Sequence, residues 1–436
     1  MKQLRWLMAI ACASFWIPPC NAEGVVSEPA QASSPFEVLS IDAAVKAAID
    51  HNLNLLAARA NVTIAEAQMI TARLRPNPVI SGSADTLDWL GTRFTEANGL
   101  GPSLFAFRID VPFERGGKRE LRTQTASFER QIAEAEIADT VRRLRLDVMV
   151  ACIDLLEAKA KLQLARDNLN TFEQLVQVNQ RRLTSGAIPP IELTRVRVAM
   201  LQYRNIERAA ELTVVQARVR LMPLLGRTAG HPPVDIDGDL SVTPEAGPPG
   251  LDTLQQLARQ ARPDLTALRQ EQARSQADLR LQLAQGKVDY TVGVAFERQR
   301  GVLGSGNAVG AFFSVPLPIF NRNQGEIARA AAQQGKTGTS IAALETDVSG
   351  EVTSAYQEFQ TARRVLQDIE ADLLTPSREA RETTAYVYQA GATSLLDVLD
   401  AQRAFNDTME TYYTAQADYR RAELKLMTVA GQEITP

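Results

Sequence analysis

The sequence predicts a mainly α protein with a β part, in which long antiparallel coiled-coil helices carry four strands per chain. Three observations predict it. Helical stretches with heptad spacing run far beyond the length of a globular core. Short strand-like segments with alternating apolar residues interrupt them. The whole pattern also occurs twice, at an offset of about 200 residues.

The chain opens with Lys2 and Arg5 ahead of the apolar run 7–17, and Cys20-Asn21-Ala22 closes on a small residue. This is the pattern of an export signal, residues 1–22, cut after Ala22. The alternatives are an uncleaved anchor, disfavoured by the short, proline-ended run, and a lipoprotein signal on Ala11-Cys12, disfavoured by the short stretch before it. Cutting after Ala22 leaves Cys152 as the single cysteine, so no intrachain disulfide can form and stability comes from packing. It also removes the two positive charges of Lys2 and Arg5, which takes the formal net charge from −4 to −6. Acids and bases stay interspersed, which argues against a nucleic-acid partner. Past the leader no apolar run approaches the roughly 20 residues of a membrane-spanning helix. Any membrane span must therefore be built of strands.

The first copy is expected over 23–225, the second over 251–431, with a short tail at 432–436. Ile41-Asp42 to Asn52-Leu53-Asn54-Leu55 parallels Leu251-Asp252 to Arg262-Pro263-Asp264-Leu265. Val111-Pro112-Phe113 answers Val315-Pro316. Ser185-Gly186-Ala187 with Ile191-Glu192-Leu193 answers Ala390-Gly391-Ala392 with Leu396-Asp397-Val398. Between the copies, 226–250 is rich in Pro, Gly and Asp and reads as the connector.

Each copy should hold a helix of moderate length, two strands, a very long helix, a Gly turn and a returning helix. In the first copy the small or apolar positions Leu144, Val148, Ala151, Leu155, Ala158, Leu162, Ala165, Leu169 and Phe172 alternate three and four apart. That is a heptad seam. Val348, Val352, Ala355, Phe359, Ala362, Leu366, Ile369 and Leu373 repeat it, and so does the returning helix at Val398, Ala401, Phe405, Thr408 and Tyr412. With no proline between Pro112 and Pro189, the first long helix can run over 117–185, on the order of 100 Å. Pro376 should kink its counterpart. A soluble coiled-coil rod would share these seams.

The strands distinguish the two. Phe105, Phe107, Ile109 and Val111 alternate with Leu104, Ala106, Arg108 and Asp110, as in a strand with one face to lipid. Tyr290, Val292, Val294 and Phe296 alternate likewise, while 79–87 and 308–315 match less well. Polar loops at 92–102 and 300–307 would close two hairpins. Four strands cannot close a barrel, and open edges are not tolerated in lipid. Two chains would give eight strands and no channel; three would give twelve and a passage. A small soluble sheet on a helical stalk is the alternative.

These features together resemble the TolC family of outer-membrane efflux proteins over about 39–431. Val111-Pro112-Phe113-Glu114-Arg115-Gly116-Gly117-Lys118-Arg119 and Val315-Pro316-Leu317-Pro318-Ile319-Phe320-Asn321-Arg322-Asn323-Gln324-Gly325 are similar to the strand-to-helix junctions of its cobalt, zinc and cadmium resistance branch. The resemblance implies a homotrimer: a twelve-stranded barrel in outer-membrane lipid, a helical barrel across the periplasm, and an equatorial domain including the connector. It further implies docking to a periplasmic adaptor (membrane fusion protein) and an inner-membrane RND pump of the resistance, nodulation and division type, with heavy-metal cations as cargo. Export of drugs or other small molecules, and a periplasmic adaptor or coiled-coil scaffold without a pore, are the competing functions. An adaptor would carry its hairpin once, whereas here hairpin and strands both occur twice.

By the same resemblance the tunnel closes at the turns 184–192 and 388–400. Asp397 and Asp400 occupy positions that ring the entrance with carboxylates, Glu192 matches an acidic position in the first copy, and Tyr388 matches a residue that holds the entrance shut. Gly186, Ala187, Gly391 and Ala392 form the tips to which adaptor or pump docks. Thr393 stands where some members place an Arg of the latch. Read from the residues alone, Asp397 also has the capping-box spacing from Ser394, which Asp400, one turn on, does not.

No enzyme chemistry emerges. Gly116-Gly117-Lys118 lacks the first Gly of a phosphate loop and has Arg119 where Ser or Thr would stand. His51 and His231, the only histidines, sit in different contexts, leaving no His or Cys cluster for a resident metal. Neither a metal site nor a cofactor is expected.

Overall fold

The computed structural model describes residues 36–87, 91, 103–228, 230–241, 247–301 and 304–432. The expected leader at 1–22, the loop 92–102 and the tail beyond 432 lie outside the described residues.

In chain order the first copy comprises β1 (Glu37–Leu39), α1 (Ile41–His51), α2 (Leu53–Arg73), β2 (Val79–Asp85), β3 (Ser103–Phe113), α3 (Lys118–Thr184) and α4 (Pro190–Leu224). After β4 (Val234–Ile236) come α5 (Leu251–Ala261), α6 (Pro263–Gln285), β5 (Tyr290–Gly301), β6 (Gly304–Ser314), α7 (Gln324–Asp368), a π-helical turn (Ile369–Leu373), α8 (Leu374–Gln389) and α9 (Leu395–Val429).

The single moderate helix expected at the head of each copy is broken in two. Asn52 leaves helical geometry at ψ 121°, and its side chain accepts a hydrogen bond from Leu55 N, so one residue ends α1 and caps α2. In the second copy Pro263 forces Arg262 into the same extended geometry, ψ 125°. Different residues thus make the same break.

The long helix is α3, 67 residues, on the order of 100 Å. It starts after left-handed Gly117 (φ 72°), and α7 starts after left-handed Asn323 (φ 66°). Near the strands α3 packs on α2 and α6; further along it packs on α4 and α9. Its seam is buried as the heptads require, from Leu144 and Val148 through Leu155 to Phe172. Around Val148 and Leu155 it meets Ala44 and Ala48 of α1 and Val234 and Ile236 of β4, which pairs in parallel with β1. The second copy builds the matching core from Leu254, Ala258, Val348, Val352 and Phe359.

Pro376 lies in the first turn of α8, where its missing N–H costs least, directly after the π turn. That turn changes the helical phase, so Leu373, expected in the seam, is exposed.

The strands form one antiparallel sheet in the order β2-β3-β5-β6. Its register places Phe107 opposite Phe296, Phe296 opposite Val309, and Ile80, Ile109 and Val294 in one row, so the apolar residues share an exposed face. On the other face Arg108 pairs with Asp110 at 2.7 Å and lies 4.2 Å over the Phe312 ring. A loop expected at 300–307 is largely strand instead: the ladder continues to Gly301 opposite Gly304, because its small polar residues tolerate the extended backbone. No described helix is long and apolar enough to cross a membrane.

Candidate functional site

At the end of α3 far from the sheet, two helical turns meet. In the first, Gly186 takes φ 75°, its N–H donates to Leu183 O and Ala187 N donates to Arg182 O; in the second, Gly391 takes φ 79°, donating to Tyr388 O while Ala392 N donates to Val387 O. Both are Schellman closures, in which a left-handed glycine satisfies the last carbonyls of the helix. Pro190 and Ser394 then restart the chain as α4 and α9.

Between the hairpins, Phe172, Val196, Ala199 and Tyr203 pack with Tyr388, Leu395, Val398 and Leu399. Tyr388 is buried, and its hydroxyl donates to Asn179 Oδ1 at 2.6 Å. Arg182 completes the contact: its guanidinium lies 5.0 Å over the Tyr388 ring and donates to Tyr388 O at 3.4 Å. An arginine thus reaches Tyr388 from the first hairpin rather than from position 393. Thr393 instead donates its hydroxyl proton to Asp397 at 2.6 Å.

Asp397 forms the full capping box with Ser394. Hydrogen bonds from the Thr393 and Ser394 side chains, and from Ser394 N, hold its carboxyl below the usual carboxylate range, 3.8. Asp400 is exposed on the next turn, 3.6 Å from Arg403 in a pair that water largely screens. Glu192 sits half-buried in the first turn of α4. The structure therefore brings Tyr388 into the hairpin interface, binds Asp397 into a cap and leaves Asp400 facing out.

Sequence reasoning missed a buried polar ladder just behind this tip. Gln402 donates to Asn168 Oδ1 (3.1 Å) and Asn406 Oδ1 (3.0 Å), and Asn406 donates to the Tyr203 hydroxyl oxygen (2.6 Å). The signal available was two amides four residues apart beside the seam residue Phe405.

At the sheet end the phosphate-loop look-alike is a mechanical joint. Lys118 Nζ donates to Lys287 O (2.8 Å) and to Asp289 Oδ2 (2.7 Å), while Arg115 N donates to Asp289 Oδ1 (2.8 Å). His51 bonds Ala47 O, and His231 bonds Thr228. No group of three or more His, Cys, Asp or Glu among the described residues could hold a metal ion.

An open sheet with an apolar outer face, set on a helical bundle that ends in two tightly closed turns, defines a subunit of an outer-membrane duct. Residues 44–227 and 254–432 match the model of the family described as outer membrane efflux protein, one match for each copy. The chain belongs to that family; it is an outer-membrane efflux channel that extends into the periplasm, and not an enzyme. It is similar to the cobalt-zinc-cadmium resistance protein CzcC of Cupriavidus metallidurans, 26% identical over 375 residues, 86% of this chain and 85% of that protein. Among solved structures, CusC has a TM-score of 0.72 at 19% identity, covering 92% of this chain and 94% of that one. The CmeC outer membrane channel of Campylobacter jejuni has a TM-score of 0.74 at 13% identity, covering 90% and 85%.

Proposed function

We propose that three copies of this chain form the outer-membrane channel of a tripartite efflux system exporting divalent heavy-metal cations of the cobalt, zinc, cadmium or nickel type. A periplasmic adaptor and an inner-membrane RND pump supply the cargo. The observation that carries the metal reading is the likeness to CzcC across both copies, 86% of the chain, together with the two strand-to-helix junction motifs.

The open sheet supports the trimer. Among the described residues, strands β2 and β6 each have one unpaired edge in the single chain. In lipid such edges must be paired. Three sheets of four strands close a barrel of twelve, with Phe107, Ile109, Val294 and Phe296 outward and the Arg108–Asp110 pair inward.

The periplasmic entrance lies at the two turns. Tyr388, with Asn179 and Arg182, holds the second hairpin against the first; Asp397, Asp400 and Glu192, repeated around the three-fold axis, make the mouth negative and favour cations. The exposed tips Gly186-Ala187 and Gly391-Ala392 are the surfaces offered to the adaptor or pump.

Deleting the gene and measuring retained cobalt, zinc, cadmium and nickel, alongside retained dyes and antibiotics, tests the reading. Metal retention and loss of metal tolerance are expected. Unchanged metal handling with increased sensitivity to organic compounds would replace the metal cargo with small molecules.

A further inference from the structure

The two strand-to-helix junctions are duplicates in position but not in chemistry. In the first, Phe113 stacks on Tyr290 with centroids 5.2 Å apart, Glu114 pairs with Arg122, and Arg115 is bound to Asp289. That junction is tied into the protein. In the second, Leu317, Ile319 and Phe320 stand 77%, 63% and 90% exposed. Three adjacent large apolar residues in water have no counterpart in the first junction.

Alternation explains where they belong. Along β6 the outward positions are Val309, Ala311 and Phe313; the same parity continues beyond the ladder through Val315 and Leu317. Pro316 and Pro318 remove two donors, so the stripe runs on as far as Leu317 without a paired strand, and at Pro318 the chain turns, Ile319 N donating to Leu317 O. The outward stripe of the sheet is therefore longer than the sheet itself.

The loop is also braced. Ile319 N donates to Leu317 O, Arg322 Nε to Pro318 O, Gln324 Nε2 to Phe320 O, and Asn323 Nδ2 to Gln282 O, at 2.8–3.2 Å. An apolar crest is thus held out on a defined turn, with the exposed Arg322 at its polar base. Apolar and aromatic side chains beside a cation match the boundary between acyl chains and phosphate headgroups.

We propose that Leu317, Ile319 and Phe320 insert into the periplasmic leaflet of the outer membrane, with Arg322 at the phospholipid phosphates, as a lipid anchor beneath the barrel. The occupant is phospholipid because the crest begins at Leu317, which continues the face that the barrel presents to lipid. It sets the depth at which the helical tunnel leaves the membrane. The anchor is independent of which cargo the channel carries.

Trp89 is the only tryptophan beyond the expected leader, so Trp89→Phe gives a tryptophan-free background once the leader is removed. In it, Phe320→Trp, and separately Leu317→Trp, are placed in phosphatidylethanolamine–phosphatidylglycerol vesicles containing lipids brominated at shallow or deep acyl positions. Emission should fall at least two-fold with shallow bromines and less with deep ones, while a Leu396→Trp reporter at the far tip stays unquenched. Emission from both crest reporters indifferent to bromine would overturn the anchor. So would efficient disulfide formation in native outer membranes between Phe320→Cys and, on another copy, Pro76→Cys in the link from α2 to the edge strand β2, because the crest would then be covered by protein.

Discussion

Tyr388 is a single side chain whose loss can be read at two levels. Its hydroxyl is the donor to Asn179 Oδ1, and Asn179 is fully buried. Tyr388→Phe leaves that oxygen unsatisfied at a cost of about 1–3 kcal/mol, while the ring stays beneath Arg182. Hydrogen exchange over 388–399 should speed up, and single-channel conductance in planar bilayers should rise; a mutant with unchanged exchange and conductance would show that the bond does not hold the hairpins together. Asp397 answers to pH instead. Its carboxyl is held below 3.8 by the Thr393 and Ser394 hydrogen bonds, so the ionised form is the one the fold favours. Its contribution is fully present above 3.8 and is lost as pH falls through the lowered folded value. Exchange protection at Val398 and Leu399 should therefore drop in that acid window, and Asp397→Asn should remove this component of the pH dependence. Identical acid profiles for the two proteins would assign the drop elsewhere.

Among elements, the helix-ending glycines separate two costs that a sequence cannot tell apart. Gly186 and Gly226 both close helices in left-handed geometry, at φ 75° and 69°. A Cβ on Gly186 meets open space, whereas on Gly226 it would stand 2.0 Å from His51 O. Gly186→Ala should cost about 1–2 kcal/mol from backbone strain alone; Gly226→Ala adds a backbone collision and should sharply lower the yield of folded, heat-resistant protein in outer membranes. Equal yields would contradict this. The same contrast marks what was legible in the sequence. Three-and-four spacing located α3 and its buried seam, and parity located the outward faces of β3 and β5, because those patterns are local. The break at Asn52 was hidden because no proline announces it; an amide caps by a geometry that composition does not reveal. The strict seam on α9 named Ala401, Phe405 and Thr408; Phe405 is buried and the other two are half-buried, while Gln402, Asn406 and Met409 beside them are buried. A helix enclosed on several sides buries a wider stripe than a two-stranded coil. Arg182 over Tyr388 joins residues about 200 apart and follows from packing alone.

For the whole molecule, charge at the entrance depends on assembly. In one chain Asp400 faces solvent with Arg403 3.6 Å away, and such an exposed pair nearly cancels at a distance. Around a three-fold axis the balance changes, because whichever of the two side chains points to the axis is brought near its copies while the other is carried outward. The proposed entrance requires that Asp400 be the inward one. Asp400→Asn should then lower the cation-to-anion permeability ratio of the reconstituted channel and raise sensitivity to cobalt, zinc and cadmium. Arg403→Gln, by relieving Asp400 of its partner, should move permeability the other way. Asp400→Asn keeps the length of the side chain and Arg403→Gln shortens an exposed one; neither touches the buried contacts of the hairpin, so assembly can be checked directly by the mass of the detergent-extracted particle, which should remain three chains. If particles of normal mass gave unchanged permeability in Asp400→Asn and a large shift in Arg403→Gln, the arginine would line the passage, and the carboxylate ring would have to be rebuilt from Glu192 and Asp397.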